Sequence, residues 1–135
     1  MAKPEAKYFD PKHNRLVYIS APATSIFWDN QWASSDIKKR VENVFNPIIT
    51  RKTKRYLPKG SQIVEGGCGL GQYVHLLNKA GFKVTGVDFA SKTVQRIQEI
   101  YPQLDIRFDD LTDLSFKNSQ FDGYWSFGVI EHFYN

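Results

Sequence analysis

EGGCGLG, Glu65 to Gly71, puts four glycines into seven residues directly behind a carboxylate. The short apolar run Gln62 to Val64 precedes it. After it, Tyr73, Leu76, Leu77 and Ala80 fall at i, i+3, i+4 and i+7, the spacing of one helix face, and Gly81 supplies a C-cap. Strand, glycine turn and helix in that order bring backbone close to a bound cofactor.

The same rhythm repeats downstream. Lys83 to Asp88 reads as a second strand. A helix after Ser91 sets Val94, Ile97 and Tyr101 on one face and stops at Pro102. Leu104 to Phe108 and Asp122 to Phe127 read as a third and fourth strand. Short strands joined by helices of about ten residues imply βαβ units, hence an α/β fold with a parallel sheet. Upstream, residues 1–33 read as irregular and aromatic, with Tyr8, Phe9, Tyr18, Phe27, Trp28 and Trp32 punctuated by Pro4, Pro11 and Pro22. A helix follows, N-capped by Ser34, Ser35 or Asp36, with Ile37, Val41, Val44, Phe45 and Ile48 on one face. Asn46 and Pro47 read as N-cap and first residue of another helix, which Pro58-Lys59-Gly60 ends.

Apolar residues make up 41% and charged residues 24% of the chain, the ordinary balance of a soluble globular protein. No apolar run approaches the ~18 residues of a membrane span. The opening MAKPEAKYFDPKHNR lacks the apolar core of a secretory signal, so no membrane contact or export is expected. The one cysteine, Cys68, cannot form an intramolecular disulfide, and the cytoplasm is the expected compartment. Net charge is +4, with cations gathered in RKTKR, Arg51 to Arg55. That run reads as a solvated helix end whose cations complement the helix dipole, so nucleic acid is not an expected partner. Cys68 and three scattered histidines (His13, His75, His132) give no metal-ligand spacing.

Three templates compete for the glycine turn. A phosphate loop of the form G-x-x-x-x-G-K-[ST] aligns with Gly66 and Gly71, but Gln72 and Tyr73 stand where the lysine and hydroxyl belong. A dinucleotide turn, G-x-G-x-x-G/A, fits Gly67 and Gly69. Its third position is the bulky Gln72, and Glu65 would oppose a pyrophosphate at the helix N-terminus. The third template, E/D-x-G-x-G-x-G, is filled by Glu65, Gly67, Gly69 and Gly71.

On that motif the sequence resembles the class I S-adenosylmethionine-dependent methyltransferases, over roughly residues 60–133. The resemblance implies a Rossmann-like sheet with strand order 3-2-1-4 in the part present, S-adenosylmethionine as cofactor and S-adenosylhomocysteine as product. It implies cofactor contacts from Glu65, Gly66, Gly67, Gly69 and Gly71 at the turn, where an acid suits an ammonium and a sulfonium. Asp88, with Phe89 after it, would accept the ribose hydroxyls. In FDDLTDLSF, Asp110 rather than Asp109 would accept the adenine amino group, with the Leu111 amide on the ring. Ser126, Phe127 and Gly128 would lie beside the cofactor after the fourth strand.

No catalytic residue is fixed by the resemblance. Positioning supplies much of such a transfer, and a base is needed only for an acceptor that must lose a proton. Glu131-His132 is the one candidate pair, and His132 reads more simply as a turn residue lining the pocket. Residues 1–58 would form an extension that closes over the cofactor, and 59–135 the first half of the domain. The family's sheet runs 3-2-1-4-5-7-6, whereas four strands are present before Asn135. The expectation is a fragment, a truncated product, or a chain completed by pairing with a second copy along the fourth strand. The acceptor is a small or unidentified molecule. The alternatives are a non-catalytic module of the same fold and, further off, an NAD-binding protein.

Overall fold

The computed structural model describes residues 6–19 and 24–132. Pro4, Pro22, Phe133 to Asn135 and the side chains of Tyr18 and Glu131, all named above, lie outside them. The N-terminal region corrects the expectation of irregular chain. β1 (Ala6–Asp10) and β2 (Arg15–Ile19) form an antiparallel hairpin. The turn between them was legible as chemistry. Asp10 accepts from the Lys12 amide and meets the His13 ring at 2.7 Å, and Asn14 takes the left-handed conformation with φ 48°. Next comes α1 (Ser25–Ala33), capped by Thr24, whose hydroxyl accepts from the Phe27 amide.

In α2 (Ile37–Glu42), Asp36 rather than either serine is the cap, accepting from Lys39 at 3.0 Å. This helix ends at Glu42, so the single face expected to run on to Ile48 breaks. Ile37 and Val41 are buried, but Phe45 is 85% and Ile48 60% exposed. Asn46 then caps α3 (Pro47–Tyr56) through the Ile49 amide, with Pro47 at its first position as expected. Ile49 and Thr53 face inward, while Lys54 and Arg55 close the last turn in solvent.

The main sheet has β3 (Gln62–Gly66), β4 (Lys83–Asp88), β5 (Asp105–Phe108) and β6 (Gly123–Ser126), all parallel, in the order β5-β4-β3-β6. Counted from the sheet's own first strand this is the expected 3-2-1-4. Asp122 ties β6 to β3 by accepting from Gln62 N and donating its own amide to Gln62 O, both at 2.7 Å. Between strands run α4 (Gln72–Lys79) and α5 (Ser91–Ile100). The α4 face differs from the expectation. Leu70, Val74 and Leu77 form the buried stripe, while Tyr73, Leu76 and Ala80 are half-buried. In α5, Val94 and Ile97 are buried as expected, and Tyr101 just beyond it. Among the described residues, no helix is long and apolar enough to cross a membrane.

One consequence of this topology positions the site. Chain leaves β3 toward β4 and β5 on one side, and β6 lies on the other, so crossovers diverge at the β3–β6 junction. Ligands of open parallel sheets bind at the carboxyl ends of strands at such a junction.

Candidate cofactor site

At the carboxyl end of β3 the Gly67 and Cys68 amides both donate to Val87 O, at 2.8 and 3.0 Å, which folds the turn against β4. Two glycines there are required by geometry. Gly67 has φ 71°, and a Cβ on it would run into Val129 Cγ2. Gly69 has φ 52°, and its Cβ would lie 3.1 Å from the Trp32 ring. Cys68 is fully buried, and burial pushes its thiol up, so it is a packing residue and not a thiolate.

Asp88 ends β4 with both carboxylate oxygens engaged. Oδ2 accepts from the Gly69 amide at 2.8 Å and Oδ1 from the Ala90 amide at 3.0 Å. Burial raises its pKa, the amides of Ala90, Gly69 and Phe89 hold it down, and the Asp29 charge raises it further. Each oxygen keeps a second lone pair for a ligand hydroxyl. After β5, the two neighbouring aspartates divide. Asp109 is buried and holds the loop, accepting from the Asp110 amide, the Ser115 amide and the Ser115 hydroxyl. Asp110 is exposed, and Thr112, which donates both amide and hydroxyl to Oδ1, holds its carboxyl below the usual range.

Glu65 is 1% exposed. Burial pushes its pKa up to about 8, the Val74 amide draws it back, and Asp88 adds to the rise. Its Oε2 has no hydrogen-bond partner. The Val74 amide belongs to the first turn of α4, whose N-cap, Gly71, has no side chain to offer.

These loops enclose a cavity of about 450 Å³. It brings together eight of the residues named from sequence: Gly67, Asp88, Phe89, Asp110, Leu111, Phe127, Gly128 and His132. Glu65, Gly66, Gly69, Gly71 and Ser126 do not line it. Trp28, Trp32, Thr112 and Val129 do, and were not named as site residues. The four-residue spacing of Trp28 and Trp32 carried a signal, since both fall on one face of α1 with rings stacked at 6.5 Å. The Asp110-x-Thr112 turn carried another. Val129 carried none. His132 meets the Trp28 ring edge-on at 4.8 Å. The lining holds two carboxylates and, among the described residues, no lysine or arginine.

The fold and this cavity define a Rossmann-like cofactor domain suited to hydroxyl, amino and cationic groups and not to phosphates. A family profile described as "Methyltransferase domain" matches residues 63–135, and the chain belongs to that family, the class I S-adenosylmethionine-dependent methyltransferases. It is 33% identical over 76 residues to a probable S-adenosylmethionine-dependent methyltransferase of Mycolicibacterium smegmatis, covering 56% of this chain and 30% of that protein. It is 38% identical over 80 residues to the 2-methyl-6-phytyl-1,4-hydroquinone methyltransferase of Synechocystis sp., covering 56% of this chain and 25% of that protein. A TehB-like S-adenosylmethionine-dependent methyltransferase from Corynebacterium glutamicum shares the fold, with a TM-score of 0.55 at 23% identity, over 80% of this chain and 56% of that one. The chain thus spans a quarter to a third of the length of these curated relatives.

Proposed function

We propose that this chain binds S-adenosylmethionine in the cavity at the β3–β6 junction and serves the transfer of its methyl group to a small-molecule acceptor. The observation that carries the reading is that Asp88 and Asp110 both line a cavity to which, among the described residues, no lysine or arginine contributes. A pyrophosphate would meet two carboxylates and no cation there, whereas a ribose diol, an exocyclic amine and a sulfonium would be favoured. Gly67 adds a fit of shape, because any side chain on it would occupy space beside Val129. Bound there, the cofactor would supply a sulfonium methyl for in-line transfer to a nucleophilic O, N, C or S.

The chain's own residues have distinct tasks. Asp88, fixed by the Gly69 and Ala90 amides, accepts the ribose hydroxyls. Asp110, fixed by Thr112, accepts the adenine amino group, and Phe89 and Leu111 supply apolar walls for the ring. Phe127, Gly128 and Val129 bound the side toward β6. His132 packs on Trp28 as a wall of the cavity. A small acceptor agrees with the hydroquinone named for the Synechocystis relative. Among the described residues β6 pairs only with β3 in this sheet, and pairing of its other edge with a second copy is part of the proposal. A solution mass near the 15.6 kDa monomer at working concentration would remove that part.

Calorimetry with S-adenosylmethionine, S-adenosylhomocysteine and NAD tests the cofactor reading. Saturable binding of the first two and none of NAD is expected. NAD binding without a response to either S-adenosyl compound would sink it.

A further inference from the structure

Helix α5 begins at Ala90 without a side-chain cap, and the carboxylate that fills the gap comes from 64 residues earlier in the chain. Asp29, on α1, accepts at Oδ1 from the Thr93 amide at 2.8 Å and the Thr93 hydroxyl at 3.0 Å, and at Oδ2 from the Lys92 amide at 3.3 Å. First-turn amides lack partners within their own helix, and a carboxylate there also meets the positive end of the dipole. The reverse contact lies at the other end of α1. Arg96 of α5 donates to Trp32 O at 3.1 Å and to Ser35 O at 3.5 Å, where the carbonyls of α1 run out. Each helix supplies the charged group that the other's end lacks.

Asp29 is the only fully buried residue of α1, Ile26 and Phe27 are exposed, and the half-buried Trp32, packed against the core, is the apolar anchor that this clasp supplements. Between the two anchor points α1 presents Trp28 to the cavity and lays Trp32 over Gly69. We infer that Asp29 and Arg96 are positioning residues for the cofactor cavity, holding α1 so that Trp28 and Trp32 form its wall. The inference rests on the cofactor reading above and extends it. Docking of α1 and binding of the cofactor favour one another, and linkage makes that coupling reciprocal.

A double-mutant cycle separates this role from a general loss of structure. Asp29→Ala is compared with the parent, and again in a Trp28→Ala/Trp32→Ala background, for S-adenosylhomocysteine affinity by calorimetry. In the parent, Asp29→Ala should weaken binding about tenfold or more, since it leaves amides unpaired and frees α1. In the background without the two tryptophans it should cost less than about twofold. Arg96→Met should follow the same pattern, and Asp29→Asn, which keeps an acceptor oxygen, should recover part of the loss. Equal losses in both backgrounds would overturn the inference, because Asp29 would then act by another route, such as its charge on Asp88.

A second readout needs no ligand. In a Trp125→Phe protein, Trp28 and Trp32 are the only tryptophans, and under tryptophan-selective excitation Asp29→Ala should shift their emission to the red. An unchanged spectrum would show that Asp29 does not hold α1. A parent that binds neither S-adenosyl compound overturns the cofactor reading and the coupling with it. The emission shift still reports on docking in that case, so the two failures can be told apart.

Discussion

Glu65→Gln should abolish a pH dependence of stability that the wild-type protein carries. Glu65 is buried beneath the glycine turn with a pKa of about 8 against an ordinary 4.5. The folded state therefore binds its proton more tightly than the unfolded state. Stability from this group is fully present below about pH 4.5 and is lost as pH rises toward 8. The gap of roughly 3.5 pH units, at ~1.4 kcal/mol each, amounts to about 5 kcal/mol across the window. Between pH 5.5 and 7.5 the loss is about 2–3 kcal/mol, a large part of the ~5–15 kcal/mol that holds a domain. Glutamine copies the neutral acid in shape and keeps an oxygen for the Val74 amide, so it should stay folded and lose the titration. Urea unfolding at both pH values measures this. With a slope of ~2 kcal/mol per molar, the wild-type midpoint should fall by roughly 1–1.5 M more than that of Glu65→Gln. Histidines and surface acids titrate in both proteins and cancel in the comparison. Parallel pH profiles would refute the reasoning, because they would mean that Glu65 is ionised in the folded chain.

Asp88→Ala should weaken S-adenosylhomocysteine binding by about 1–3 kcal/mol, measured by calorimetry on protein shown to be folded by circular dichroism. Unchanged affinity would remove Asp88 from the ribose role. Gly67→Ala forces a side chain into a φ of 71° and against Val129, so thermal stability and cofactor affinity should both fall, the backbone part alone costing ~1–2 kcal/mol. Adding Val129→Ala should restore affinity in part, and no recovery would place the whole cost in the backbone.

What was legible in the sequence was local. The period-2 and period-3.6 runs around EGGCGLG marked the four strands and the two crossover helices, because each element is specified by neighbours within about ten residues, whereas the strand order came from the family resemblance. Asp36, Asn46-Pro47 and Gly81 worked as punctuation for the same reason. The N-terminal hairpin was missed because Pro11 outweighed the Asp10, His13 and Asn14 turn chemistry beside it, and the α2 face was overextended past Glu42. Part of the cavity lining was legible where a residue ends a strand ahead of a glycine turn or helix, as at Asp88. It was not legible where a residue acts across the fold. Nothing near Asp29 marks it as the cap of a helix 64 residues later, and nothing near Trp32 marks it as the neighbour of Gly69. The readable hint was an omission: Gly71 and Ala90 stand at helix starts where Ser, Thr, Asp or Asn would normally sit. For α5 the missing cap arrives from elsewhere in the chain, from Asp29. Asp29 is thus a buried carboxylate that supports the cavity from outside its lining, and substituting it should disturb a bound ligand without touching it.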